Sequence, residues 1–457
     1  VIHSPDIRKG RDPRLPPGPR IGQRLVNGKA FKQNAAEFLL ANSRQFGDLV
    51  HFRALNRNVY QLNHPDLIAD FFLKDAPNHH RNLVMQAGRQ VLGHGLLTSE
   101  EPLHMRQRRL AQPAFLRERI AAYGEVIGTQ TEAMTARWQS GSLTDLHPQM
   151  LELALRIVGK CLFNLETMED VDAVAAAVDS FMSFLPISFL PFSRQIAQLP
   201  IGPMRRMQQG KKFLDHLIYG MIAERRRDPT DRGDLLSMLL ASRESDDATA
   251  MSDQQVHDEC VTIILAGHET TANALSFALY LLAQHPDIQT RLHAEAATVL
   301  GLRTPTAADY ARLPYATAVF SEALRLYPPV WVTARTCVRE YEIAGFRVPV
   351  GASILAAQYV VHRDPRFFPE PERFDPERFA PEAKAGRSRY AYFPFAGGSR
   401  QCIGEGLAWM EGTLVLAVIA RDWRLTPEAG SKAVPAAVPA ISLRPKNGVR
   451  LHIERRR

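Results

Sequence analysis

The chain has 457 residues, 45% hydrophobic and 23% charged, with a formal net charge of +8. Length alone suggests about three domains of ordinary size, and the composition is that of a globular protein with ample material for a core. The positive charge is dispersed, and the runs Arg106-Gln107-Arg108-Arg109, Arg225-Arg226-Arg227 and Arg455-Arg456-Arg457 are short. That argues against nucleic acid as a partner and for a basic face that meets an acidic protein.

No stretch of roughly eighteen uninterrupted apolar residues occurs, so the chain given holds no transmembrane anchor. No secretory signal opens it either. Val1 stands first rather than Met, which leaves an upstream anchor open. The cysteines are Cys161, Cys260, Cys337 and Cys402. They lie far apart and form no C-x-x-C pair, so neither a disulfide framework nor a zinc site is expected. A reducing compartment, the cytoplasm, is the simpler expectation.

Residues 1–20 are charged and proline-rich and read as an extended lead-in rather than a packed element. The domain proper is expected over 21–457. Helical spacing runs from Phe31 to Gln45. Leu49–Leu55 and Asn58–Leu62 read as a hairpin turned at Asn56-Arg57, and a helix follows over Pro65–Leu73. The middle third, about 100 to 300, is almost wholly helical in pattern. A helix over Leu103–Leu110 puts His104 and Arg108 at i,i+4 on one face. The longest helix is predicted from Ser252 to Gln284, with Ser252 and Gln255 as a capping box and Pro286 past the end. At about 1.5 Å per residue it spans roughly 50 Å, which favours one large helical domain over three. Two β segments are predicted near Thr336–Ile343 and Arg347–Ile354.

The long helix contains Ala266-Gly267-His268-Glu269-Thr270-Thr271. A mid-helix glycine costs about 1 kcal/mol against alanine. Gly267 therefore needs a reason: room above a flat cofactor, or close packing on a neighbouring helix. Thr270 can bond back to the Ala266 carbonyl. An acid beside an alcohol, Glu269 and Thr270, can relay protons from solvent. Downstream, Glu322 and Arg325 stand at i,i+3. In isolation that is a solvated ion pair, but Ala318, Val319, Phe320, Leu324 and Leu326 around it make burial plausible. A buried pair needs a further partner, for which Arg378 is the candidate and Arg373 the alternate.

The most specific segment is Phe395-Ala396-Gly397-Gly398-Ser399-Arg400-Gln401-Cys402-Ile403-Gly404, which reads F-x-x-G-x-R-x-C-x-G. A lone cysteine is usually a small buried hydrophobe. This one sits in a constrained loop, and a cysteine thiolate can be the axial ligand of a heme iron. Glycines allow a tight turn and a close backbone approach to a macrocycle. A helix beginning near Ile403 puts its positive end beside the sulfur, which favours thiolate. Arg400 can reach one heme propionate, His104 with Arg108 another, and Arg335 is a further candidate.

Taken in order, His104-x-x-x-Arg108, Ala266-Gly267-x-Glu269-Thr270, Glu322-x-x-Arg325, Pro376-Glu377-Arg378-Phe379 and the Cys402 loop resemble the cytochrome P450 family of heme-thiolate monooxygenases. The resemblance runs from about Leu15 to Ile453. It implies a mostly α fold with a smaller β-rich region in one large helical domain, and heme b as cofactor. It implies Cys402 as proximal ligand, Glu269 and Thr270 as the proton-delivery pair, and Glu322, Arg325 and Arg378 as a lock beneath the heme. His104, Arg108, Arg335 and Arg400 map to the propionates, and Ala266, Gly267, Phe395 and Gly404 flank the cofactor. Glu269 stands where many members carry aspartate. His104 stands where membrane-bound members often carry tryptophan, so the chain looks like a soluble bacterial member. No fused reductase follows Arg457, so the electrons are expected from a separate ferredoxin and its NAD(P)H-dependent reductase, and dioxygen is the co-substrate.

By the same analogy the substrate cavity draws on five segments. These are the loop before His104 (Met85, Val91, Leu92, Leu96), the apolar run near 181–192 (Phe181, Phe184, Leu185), the long helix (Leu265, Ala266), the stretch after Pro329 (Val330, Trp331, Val332) and a C-terminal turn (Ile441). Such a lining fits a hydrophobic small molecule with few polar handles. Terpenoids, fatty acids, steroids and aromatics all remain open. The 181–192 run reads equally as plain core or as a membrane contact. A peroxide-using or lipid-rearranging heme-thiolate enzyme is the alternative activity, and a heme sensor or carrier is the non-enzymatic one.

Overall fold

The structure is a computed structural model. It describes residues 14–19, 31, 33–54, 57–165, 173–178, 180–181, 195–196, 198–199, 201–241, 251–430 and 436–456. Two compact units divide the chain, 1–82 with 330–373 and 384–401, and 83–329 with 374–383 and 402–457.

The first unit is built on a five-stranded sheet. Asn34 caps the helix Ala35–Phe46 by accepting from the Glu37 amide. Strands β1 (Leu49–Ala54) and β2 (Arg57–Leu62) follow as an antiparallel pair. Next come the helix Pro65–Phe72, β3 (His79–Arg81) and, after a long excursion through the second unit, β5 (Thr333–Cys337), β6 (Tyr341–Ile343), β7 (Phe346–Val348) and β8 (Ser353–Ala356). The sheet order is β1-β2-β8-β5-β3, with β2 and β8 parallel, while β6 and β7 form a separate hairpin. The two predicted β segments are thus four strands. The chain reverses at Ala344 (φ 49°) and Gly345 (φ 81°), left-handed positions that no hydropathy pattern marks. Tyr60, Leu62, Ile68, Phe72, Ile354 and Phe393 pack beneath the sheet. The lead-in is more than a linker: Pro16 and Gly18 are buried, and Pro17 accepts from the His51 amide of β1 at 2.7 Å.

The second unit is helical. Its axis is the helix Asp253–Gln284, opened by Ser252 and Gln255 as a reciprocal capping box. Leu146–Phe163 packs along it, as do Pro314–Leu326 and Glu405–Asp422. Glu405–Asp422 is apolar almost all round, with Leu414, Val415, Leu416, Ala417 and Val418 fully buried, as a helix enclosed by others must be. It lies so close to Pro314–Leu326 that a Cβ at Gly412 would stand 2.3 Å from the Phe320 ring. Strands β4 (Ser142–Asp145), β12 (Arg450–Arg455) and β9 (Trp423–Pro427) form a small sheet in the order β4-β12-β9. Strands β10 (Ala437–Pro439) and β11 (Leu443–Pro445) form a hairpin. Arg225, from the second basic run, is buried against Asp234 at 2.6 Å, so that run is not a continuous basic face.

Candidate active site

Cys402 is exposed, while Cys161, Cys260 and Cys337 are buried. It lies three residues before the helix Glu405–Asp422, whose N-cap is Gly404. Although the residue as a whole is exposed, the protein atoms packed around its sulfur push the thiol up to about 11. The Gly404 amide donating to it and the Arg108 charge pull the other way. Arg108 lies on the helix Leu103–Ala111, its own guanidinium pushed down by burial and held up by Cys402. One turn earlier on that helix, His104 is buried with its Nδ1 2.9 Å from Glu101 Oε1. A thiol beside a guanidinium and a backbone amide, just before a helix N-terminus, is placed to be a thiolate when it ligates a metal. The residues present therefore fit an iron held by a single thiolate.

A second feature is an interruption in the long helix. Residues 256–264 are buried throughout, and so are 271–283. Between them Ala266 is exposed and Leu265, Gly267, Glu269 and Thr270 are partly so. Thr270 Oγ1 donates to the Ala266 carbonyl at 2.7 Å, as its position predicts. Gly267 has the second of its two reasons: a Cβ there would stand 2.9 Å from Val158 of Leu146–Phe163. His268 turns toward that same helix and donates to the Leu151 carbonyl. Burial, the larger cause, brings its imidazole down to about 4. Glu269 and Thr270 share no hydrogen bond. Instead Glu269 Oε1 accepts from Ser442 Oγ at 2.7 Å, and Ser442 accepts from Asn273 Nδ2 at 3.0 Å.

Glu322 and Arg325 are both without solvent exposure. The guanidinium grips the carboxylate twice, Nε to Oε2 at 2.6 Å and Nη2 to Oε1 at 2.8 Å. The Asp375 amide donates to Oε1 at 2.9 Å, and Arg378 Nε lies 3.5 Å from the same atom. Burial pushes the Glu322 carboxyl above its ordinary range, with Arg325 pulling it back. The solvated-pair alternative is thus excluded. Arg378 rather than Arg373 is the further partner, since Arg373 pairs with Glu370 at the surface.

In the first unit, Arg335 lies half-buried on β5 and donates to the Ala334 carbonyl at 3.0 Å. Phe395 and Arg400 are half-buried, and Ala396 stands at φ 61°, a strained position for a residue with a side chain. The glycines of this loop answer to protein neighbours. A Cβ on Gly397 would meet the Tyr390 ring at 2.7 Å, and one on Gly398 the Phe72 carbonyl at 2.2 Å.

Among the predicted pocket residues, Leu92, Leu96, Phe181 and Trp331 are buried, Met85, Leu265 and Val332 are half-buried, and Val330 and Ile441 are exposed. Phe184, Leu185 and the Val91 side chain lie outside the described residues. Sequence reasoning missed Ser442 and Asn273. It also missed Glu259, a fully buried acid whose Oε2 accepts from the Leu96 amide at 3.0 Å and whose carboxyl burial raises to about 8. Among the described residues no helix is long and apolar enough to cross a membrane.

The profile of the Cytochrome P450 family matches residues 13–451. Cyclooctatin synthase of Streptomyces melanosporofaciens is 40% identical over 412 residues, 88% of each chain. Cyclooctat-9-en-7-ol 5-monooxygenase of the same organism is 37% identical over 399 residues, 86% of this chain and 85% of the relative. Among solved structures, retinoic acid-bound cyanobacterial CYP120A1 superposes with a TM-score of 0.83 at 26% identity, covering 97% of this chain and all of the other. The chain belongs to the cytochrome P450 family. It is an oxidoreductase that binds heme b, a heme-thiolate monooxygenase of hydrophobic small molecules using dioxygen and electrons from redox partners.

Proposed function

We propose that Cys402 is the proximal thiolate and that the enzyme oxidises a cyclic terpenoid. The observation that carries the first part is the Cys402 thiol with the Gly404 amide donating to it and Arg108 beside it. Heme, when bound, supplies the activation of dioxygen. This chain's residues do the rest. Cys402 is held for ligation by its turn and the helix behind it. His104 and Arg108, with Arg335 and Arg400, take the propionates. Ala266, Gly267, Phe395 and Gly404 flank the ring. Glu269 accepts protons from solvent and Thr270 passes them inward, its hydroxyl kept in place by the Ala266 carbonyl. Glu322, Arg325 and Arg378 fix the layer behind the Cys402 helix.

The substrate class rests on the relatives, whose names specify cyclooctatin and an unsaturated cyclic alcohol. It also rests on the apolar side chains of Leu92, Leu96, Leu265, Val332 and Ile441 in the expected lining. Electrons come from a ferredoxin and an NAD(P)H-dependent reductase. Four free cysteines suit the cytoplasm.

The test is spectroscopic. The reduced, carbon monoxide-bound protein should show the strongly red-shifted Soret band of thiolate ligation, and Cys402→His should lose it. A histidine-type spectrum from freshly prepared wild-type protein would overturn the assignment. Titration with cyclic terpene hydrocarbons and alcohols, read as a spin-state change, tests the substrate class.

A further inference from the structure

Glu269 is not left to choose its own direction. Its Oε1 accepts from Ser442 Oγ at 2.7 Å. Ser442 is buried, and its oxygen also accepts from the Asn273 amide at 3.0 Å. An amide nitrogen only donates, so it occupies a lone pair of the serine and leaves the hydroxyl proton to point at the carboxylate. Asn273 is fully buried and lies one turn beyond Glu269 on the same helix. The serine backbone is fixed as well. It lies between β10 and β11, where the Ala440 amide donates to its carbonyl at 3.1 Å and the neighbouring Leu443 amide donates to Pro329 at 2.8 Å. Thr270 cannot substitute as the donor to Glu269, because its hydroxyl proton goes to Ala266.

We propose that Ser442 is a positioning residue for the monooxygenase reaction: it holds the Glu269 carboxylate in the one orientation from which the acid collects protons. A neutral hydroxyl aimed at a carboxylate fixes its rotamer. Asn273 sets the serine, and the serine sets the acid. The C-terminal hairpin therefore contributes to proton delivery through Ser442, a side chain that is itself neither acidic nor basic. This inference rests on the proposed role of Glu269.

The experiment is a double-mutant cycle on the holoenzyme with Ser442→Ala and Glu269→Gln. Ser442→Ala should lower kcat roughly tenfold, the size of a lost orienting contact rather than a lost acid, with KM and the substrate-induced spin shift unchanged. In the Glu269→Gln background the same substitution should change kcat no further. Ser442→Thr, which keeps the hydroxyl, should restore most of the rate. The denaturation midpoint gives an independent reading: the double variant should fall no lower than the worse single variant. Thr270→Ala serves as comparator, since it should uncouple reductant use from product with release of hydrogen peroxide while Ser442→Ala keeps the ratio. Additive effects on kcat, or wild-type turnover in Ser442→Ala, would overturn the positioning role. A fully active Glu269→Gln would instead remove Glu269 from the mechanism, and the cycle tells the two failures apart.

Discussion

Arg325→Met removes one charge from a pair that has no contact with solvent. The methionine fills much of the same volume, so the change is electrostatic more than steric. Glu322 then keeps the Asp375 amide at 2.9 Å and the Arg378 guanidinium at 3.5 Å but loses both bonds to Arg325. Burial already pushes this carboxyl up with Arg325 in place, so losing that partner leaves its desolvation less offset. Breaking a buried pair from one side costs about 3–5 kcal/mol. At about 1.4 kcal/mol per tenfold, the folding equilibrium falls by roughly two to three and a half orders of magnitude. The surviving Asp375 amide bond and the nearby Arg378 charge place the expected loss toward the lower end. Heme content and the denaturation midpoint of the holoprotein are the assays. The double variant Glu322→Gln/Arg325→Met removes both charges and should recover part of the loss, as replacement of whole buried pairs often does. A change within about 0.5 kcal/mol of wild type in Arg325→Met, the range of ordinary surface substitutions, would refute the reasoning.

Gly412→Ala places a methyl group 2.3 Å from the Phe320 ring, between two helices that support the Cys402 turn. It should cost about 1–3 kcal/mol by overpacking, read from the denaturation midpoint, and Phe320→Leu in the same chain should relieve it. At the acid end, Arg303 holds the buried Asp309 carboxyl down to about 2 through hydrogen bonds, one of them 2.6 Å long. A depressed carboxyl contributes stability above its unfolded value, near 4, and loses it as pH falls through about 2. Arg303→Met should therefore lower the midpoint at pH 7, by a difference that narrows below pH 4 and closes near pH 2. A difference independent of pH would show that the pair contributes packing alone.

What the sequence made legible is what the chain concentrates locally. The Cys402 loop spells its chemistry in ten consecutive residues. The Ser252–Gln255 capping box and the Thr270–Ala266 bond each need only a few neighbours. Even Glu322 and Arg325 were visible as a pair, although their burial depends on Asp375 and Arg378, which lie about fifty residues away. What stayed hidden depends on contacts that no window contains. At Gly267, Gly397 and Gly398 a protein neighbour occupies the Cβ position, which the sequence does not reveal. A glycine in sequence says that space is short and not what fills it. Ser442 carries no motif at all, because its meaning lies in an acid 173 residues earlier. Its importance also depends on Asn273, whose amide decides which way the hydroxyl proton points. The 266–271 hexad of the long helix names the acid and the alcohol, but the acid's direction is set from the far end of the chain. Local patterns thus supplied the groups that can react, and long-range packing supplied their orientation. If orientation limits proton delivery, substitutions in the C-terminal hairpin should alter turnover as strongly as conservative changes within the helix itself.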